Sequence, residues 1–143
     1  MKIPFNGSLI MHATCVDVNG SGVLIIGRSG SGKSSLAINL VALGSTLVAD
    51  DQCELVRKNN RFYIYKPASL PESIELRGVG LVSVPMVVET SLDWLVNMDE
   101  VETERMPNLR FTEIDGYRVP TVFGKGVDEL ASRIYVLVSN TLS

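Results

Sequence analysis

An α/β domain with a mixed sheet is the fold class that the sequence predicts, and three adjoining stretches predict it. Val23-Leu24-Ile25-Ile26 is an unbroken apolar run of the kind that a central strand buried on both faces requires. Gly27-Arg28-Ser29-Gly30-Ser31-Gly32-Lys33-Ser34 follows without a gap and fits the pattern G-x-x-x-x-G-K-[ST]. Leu36, Leu40 and Leu43 then recur at helical spacing with Ala37 and Val41 between them, and Gly44 stands where a helix C-terminal glycine belongs. A flexible linker could share the Gly/Ser composition of the middle stretch, but linkers are not bracketed by an apolar strand and an amphipathic helix.

The other elements follow in order. Leu9–Val18 reads as a strand, Asn19-Gly20-Ser21-Gly22 supplies turn residues, and Val23–Ile26 returns antiparallel. Counting back from that turn pairs Val18 with Val23 and Cys15 with Ile26, which sets His12 beside the first residues of the glycine-rich loop. Beyond the helix, Thr46-Leu47-Val48-Ala49 is a short apolar strand ending in Asp50-Asp51. Gln52–Val56 and Phe62-Tyr63-Ile64-Tyr65 continue as strands across the turn Lys58-Asn59-Asn60. Pro67–Pro71 is a loop, and Ile74–Pro85 is an apolar run interrupted by charges and glycines. From Val87 the pattern is strand-like through Leu95-Val96, then polar from Asn97 to Leu109. Leu130, Ile134 and Val138 fall near helical spacing and predict a closing helix, although Tyr135-Val136-Leu137-Val138 also tolerates a strand.

Size and composition narrow the function. A chain of 143 residues with 45% hydrophobic content is one domain's worth, residues 1–143, and can bury a real core. The net charge of −3, without a lysine or arginine run, argues against a nucleic-acid partner or an anionic membrane surface. Cys15 and Cys53 lack C-x-x-C spacing and accompany a single histidine, which argues against a disulfide framework and a structural zinc site. Reducing cytoplasm is the expected compartment. No stretch has the length of a membrane span, and the first residues, Met1-Lys2-Ile3-Pro4-Phe5, lack a signal-peptide core.

The chemistry centres on the loop. Its glycines let the backbone turn tightly and aim N–H groups at phosphate oxygens, while the following helix presents the positive end of its dipole to the same charge. This is the P-loop of nucleotide-binding domains: Gly27 to Ser34 would cradle the phosphates of ATP, Lys33 would reach the terminal ones, and Ser34 would hold Mg²⁺. Ligands of open α/β sheets sit beyond the carboxyl ends of the strands, so Asp50 and Asp51 belong near the phosphates and the metal. Asp51 is the candidate base for a hydroxyl proton, and Asp50 reads as a carboxylate that orders Mg²⁺ through water or caps a backbone group. His12 could steady Asp51 or share a proton with it, the duller alternative being a structural histidine. Glu75 and Arg77, two residues apart, would share a strand face where one could bind metal and the other clamp phosphate, or both could form cross-strand salt bridges. Gly78 and Gly80 suit a close backbone approach there.

Together these pieces resemble the catalytic domain of HPr kinase/phosphorylase, the bacterial enzyme that phosphorylates a serine of the phosphocarrier HPr. The resemblance is carried by Met11-His12 with Val16-Asp17-Val18, the loop Gly27–Ser34, Leu47-Val48-Ala49-Asp50-Asp51, and above all Ile74-Glu75-Leu76-Arg77-Gly78-Val79-Gly80, close to the family signature I-E-I-R-G-L-G. It implies a P-loop domain similar to the nucleotide-binding core of phosphoenolpyruvate carboxykinase, assembled as a hexamer and acting on HPr with ATP and Mg²⁺. His12, Lys33 and Asp51 then fall on the family's active-site histidine, loop lysine and proton acceptor, while Ser34 and Glu75 fall on its magnesium positions. Arg105, in Glu104-Arg105-Met106-Pro107, falls on a downstream catalytic arginine, a surface arginine being the alternative.

Three departures qualify the resemblance. The long form's N-terminal domain has no counterpart, which implies the short form. Ser35 stands where a glutamate often follows the loop serine. A loop tied to dephosphorylation, usually P-V-K-x-G-R-N, reads here Pro120-Thr121-Val122-Phe123-Gly124-Lys125-Gly126, so attack of phosphate on phosphoserine to yield pyrophosphate is less well supported than kinase activity. Two other functions fit the P-loop: a small-molecule kinase, which would ordinarily carry an arginine-rich lid, and a regulatory module that senses a nucleotide without turnover.

Overall fold

The computed structural model describes residues 1–140. In chain order the elements are β1 (Lys2–Ile3), β2 (Ser8–Met11), β3 (Ala13–Val18), β4 (Ser21–Ile26), α1 (Lys33–Ala42), β5 (Thr46–Ala49), β6 (Cys53–Lys58) and β7 (Arg61–Tyr65). There follow β8 (Ile74–Leu76), β9 (Gly80–Val82), β10 (Glu89–Val101), β11 (Arg110–Ile114), β12 (Tyr117–Lys125) and α2 (Leu130–Val138). The main sheet runs β1-β11-β12-β10-β4-β3-β5, and β2, β6 and β7 branch from it. A β8–β9 hairpin stands apart.

The apolar run before the glycine-rich loop is β4, a central strand as predicted. Its alternate residues serve two cores. Val23 and Ile25 pack with Leu36, Leu40 and Ile134 on the helical side, while Leu24 and Ile26 pack with Leu55, Phe62 and Ile64 of the second sheet. The result is helices, main sheet and branch sheet in three layers, with β4 covered on both faces. Gly44 closes α1 as predicted: at φ 108° it donates to Val41 O at 3.0 Å while Ser45 N–H reaches Leu40 O at 3.1 Å, the paired bonds of a Schellman end. Cys15 and Cys53 are free and buried, and burial pushes both thiols up, which suits core packing better than nucleophilic chemistry. Among the described residues no helix is long and apolar enough to cross a membrane.

Several predicted details are corrected. The β3–β4 turn is Asn19-Gly20 alone, with φ of 51° and 92°, so Val18 pairs with Ser21 and Val16 with Val23 rather than Val18 with Val23. A shift of two residues leaves every side chain on its predicted face. The strand predicted over Leu9–Val18 breaks at His12, because β2 pairs with β6 in the branch sheet while β3 pairs with β4 and β5. Asn97 to Val101 extend β10, where Asn97 lies opposite both Ile26 and Phe123. Arg77 is in the turn after β8 and does not share a strand face with Glu75. Pro120 to Lys125 belong to β12, not to a loop. The closing helix forms, and Tyr135–Val138 lie within it.

Gly22 pairs with Leu92 of β10 and leaves no room for a side chain: a Cβ there would meet Ser91 O at 1.8 Å. Gly22→Ala should therefore lower the free energy of urea unfolding by at least about 2 kcal/mol, through forced separation of β4 and β10. Where β10 turns back into β11, Arg110 donates from Nε and Nη2 to the two Glu102 carboxylate oxygens at 2.9 and 2.8 Å. This hydrogen bonding holds Glu102 at about 2, down from an ordinary 4.5. A carboxylate depressed in the folded state stabilises fully above its unfolded value, and that stabilisation is lost as pH falls through the folded value. Glu102→Gln should flatten the acid loss of stability between pH 4.5 and about 2, measured by urea unfolding across that window.

Candidate active site

Strand direction assembles the site. β10 is parallel to β4 and to β12, and β5, antiparallel to β3, runs the same way as β4. The carboxyl ends of β4, β5, β10 and β12 therefore share one edge, where open α/β sheets bind ligands. β3 runs oppositely and begins at that edge, which delivers His12 to it.

The loop leaves β4 at Gly27 and enters α1 at Lys33. Gly32 is the N-cap in the left-handed region at φ 102°, and no side chain caps the helix, which leaves its first N–H groups for an anion. Gly27 has to be glycine, since at φ 154° a Cβ would meet Ser31 Oγ at 2.5 Å and Met98 Cβ at 3.0 Å. Lys33 is buried, and its Nζ donates to Gly27 O at 2.8 Å and Arg28 O at 3.1 Å, holding the ammonium inside the turn of the loop. Arg28 N–H donates to both oxygens of Asp99 at 3.1 Å, so the end of β10 anchors the front of the loop.

The acidic end of β5 has two adjacent carboxylates with separate partners. Asp50 Oδ1 accepts from Ser34 Oγ at 2.8 Å and from Thr14 Oγ1 at 3.0 Å. Asp51 takes φ 72°, a left-handed conformation that aspartate tolerates better than most residues, and its Oδ1 lies 3.0 Å from His12 Nε2. Between the loop and these carboxylates is a cleft of about 380 Å³, bounded by His12, Lys33, Ser34, Asp51, Glu75 and Arg77. Glu75 and Arg77 thus reach the same cleft although one is in β8 and the other in a turn. Ser29, Gly30 and Gly32 supply its loop side. Gly27 and Ser31 sit in the base of the loop, Arg28 is turned largely to solvent, and Arg105 is exposed in the segment between β10 and β11, outside the cleft lining.

The donor set fits a small hard cation. No group of three or more His, Cys, Asp and Glu among the described residues forms a cage. Magnesium, however, keeps several waters and binds through one or two carboxylates together with substrate phosphates. The Ser34 hydroxyl, tied to Asp50 in a cleft that Glu75 also lines, suits that mode.

Sequence reasoning missed two residues. Thr14 stands two positions after His12, the strand repeat that could have revealed it. Asp99 lay in a stretch read as non-strand.

Comparison with known proteins places the fold in a family. A family model described as the HPr Serine kinase C-terminal domain matches residues 5–121. The chain belongs to this family. Over 75 residues, 52% of the chain, it is 44% identical to the HPr kinase/phosphorylase of Shouchella clausii (strain KSM-K16). That match covers 24% of the relative, so the chain spans about a quarter of its length. A solved structure, the Hpr(Ser) kinase/phosphatase from Coxiella burnetii, superposes with a TM-score of 0.75 at 27% identity, covering 92% of this chain and 88% of that one. The mixed P-loop-type sheet predicted from the sequence is the fold of this kinase family.

Proposed function

We propose that this domain is an ATP- and Mg²⁺-dependent protein-serine kinase acting on HPr or an HPr-like phosphocarrier. The observation that carries this reading is the His12–Asp51 pair, 3.0 Å apart, in the lining of one open cleft that Lys33 and Ser34 also border. A hydroxyl entering the cleft meets a carboxylate on one side and the loop amides on the other, the geometry that phosphoryl transfer requires. His12 Nε2 stands 3.0 Å from Asp51 Oδ1, which leaves Oδ2 to accept the serine proton. Lys33 exchanges its carbonyl contacts for the β- and γ-phosphate oxygens, and Arg77 steadies the transferring group from across the cleft. Ser34 and Glu75, with Asp50 through water, would hold Mg²⁺, which supplies charge neutralisation on the phosphates.

Openness favours a macromolecular acceptor: the Asp51 side chain is 73% exposed and that of His12 is 51% exposed. In reverse, phosphate attacking phosphoserine would use the same base to return the proton. The basic residues expected for that direction are reduced to Lys125 at the end of β12, which favours the kinase direction.

Mixing the chain with HPr, labelled ATP and Mg²⁺ tests the reading, with label expected on serine. Asp51→Asn should reduce the rate by roughly 10²–10⁴-fold, the usual worth of a positioned base, while leaving nucleotide affinity nearly unchanged. Full turnover by Asp51→Asn would remove Asp51 from the base role, and absence of label with the unaltered chain would remove HPr as acceptor.

A further inference from the structure

The face that β3 turns toward the helices is apolar except at Thr14. Thr14, Val16 and Val18 alternate along the strand, and Val16 and Val18 enter the core between the main sheet and α1. Thr14 lies opposite Ile25 of that same core and is fully buried, where a valine of nearly the same shape would pack without a polar atom to satisfy. Its hydroxyl is bonded instead. Thr14 Oγ1 donates to Asp50 Oδ1 at 3.0 Å, and Ser34 Oγ donates to that same oxygen at 2.8 Å. We propose that Thr14 is a metal-selectivity residue, whose hydroxyl holds Asp50 where its carboxylate suits the waters of Mg²⁺ and not those of the larger Ca²⁺. The proposal rests on the reading of Ser34, Glu75 and Asp50 as the Mg²⁺ site.

The two donors to Asp50 are not equivalent. Ser34 stands in the first turn of α1 and would itself be bound by the metal, so it cannot orient Asp50 independently of that metal. Thr14 can. It sits in a strand that is paired with β4 on one side and with β5 on the other, which makes it a fixed point on a rigid element. Asp50 directly follows Ala49, the last residue of β5, where the ladder no longer holds the chain and the carboxylate needs a partner to keep its place. Both hydroxyls bond to Oδ1, which leaves Oδ2 to accept from a metal-bound water. Mg²⁺ keeps several waters in near-ideal octahedral geometry at about 2.0–2.1 Å, whereas Ca²⁺ holds its oxygens at about 2.3–2.6 Å in irregular shells. A carboxylate fixed in one position therefore distinguishes the two ions, and one free to swing follows either. Rigidity is what the hydroxyl adds. Groups that orient a metal's ligands without touching it change metal affinity by roughly 10–100-fold when removed.

Calorimetry with a nonhydrolysable ATP analogue reads the selectivity when it is run with saturating Mg²⁺, with saturating Ca²⁺ and with a chelator. The unaltered chain should bind the Mg²⁺ complex about tenfold more tightly than the Ca²⁺ complex. Thr14→Val, which keeps the shape and removes the hydroxyl, should lose that margin by weakening the Mg²⁺ complex while binding of the metal-free analogue stays unchanged. Thr14→Ser keeps the hydroxyl and should keep the margin. A threonine that served packing alone would shift all three affinities together or none of them, and thermal unfolding serves as the check on folding. In the unaltered chain, the Thr14 hydroxyl proton should stay protected from exchange in NMR spectra of the Mg²⁺ complex and lose protection in the Ca²⁺ complex, which keeps the test decisive if Thr14→Val does not fold. Equal affinity of the unaltered chain for the two complexes, a folded Thr14→Val that retains the margin, a folded Thr14→Ser that loses it, or a hydroxyl proton equally protected in both complexes would each overturn the selectivity role and leave the metal site intact. An analogue bound as tightly with the chelator as with Mg²⁺ would instead overturn the metal site, and the selectivity role with it.

Discussion

The pairing of β4 with an antiparallel neighbour on one side and a parallel one on the other is the constraint on which the site depends. The two-residue turn Asn19-Gly20 fixes β3 against β4 and so determines where His12 emerges. Helix α1 then carries the chain from the end of β4 to β5, which runs in the same direction and releases Asp50 and Asp51 at the same edge. Parallel β10 brings Asp99 to the front of the loop. The cleft residues stand at strand ends, in the glycine-rich loop, in the first turns of α1 and in the β8–β9 hairpin.

Adjacent carboxylates repel, and a site that uses both must give them different environments. Backbone conformation does this here. Asp50 is bonded to two hydroxyls, one from α1 and one from β3, and so ties the helix start to the sheet. Asp51, one residue on, adopts a left-handed conformation and meets His12 instead. That conformation costs roughly 1–2 kcal/mol and persists because β5 and β6 hold the chain on either side. A left-handed Asp51 with a defined partner fits the base role proposed for it better than that of a generic surface acid.

Much of this was legible in the sequence because each feature was local. The loop, its flanking strand and helix, the glycine at the end of α1 and the acidic pair after β5 are short patterns with a direct physical cause. What stayed hidden depended on distant partners. Asn97 and Asp99 look like loop residues until β12 is seen to continue alongside them to Val101, so the end of β10 was invisible in its own composition. Pro120 and Gly124 are unusual residues for a central strand, yet Gly124 is required by packing: a Cβ there would meet Leu130, Met98 and Val96 within about 3 Å. A signal for the β11–β12 hairpin was present in Asp115-Gly116, whose φ values of 49° and 79° fit a two-residue turn, and it went unread. The register error at Asn19-Gly20 did no harm because a slip of two preserves which face each side chain takes.

Burial divides the cleft into unlike halves. Lys33 is nearly sealed within the loop, where a lower dielectric strengthens its attraction for phosphate oxygens, and it is prepared by carbonyl contacts rather than by a carboxylate that would have to be displaced. Asp51 and His12 are largely in water. A donor can therefore be held firmly while the base remains accessible, but such a base cannot by itself keep water from competing with a serine. Phosphoryl transfer generally depends on excluding that water. With neither β3 nor β5 covering His12 and Asp51, the surface of a docked acceptor would supply the exclusion that the proposed reaction requires. This couples transfer to correct docking: a protein that brings only its serine, without covering surface, would leave the phosphate exposed to hydrolysis.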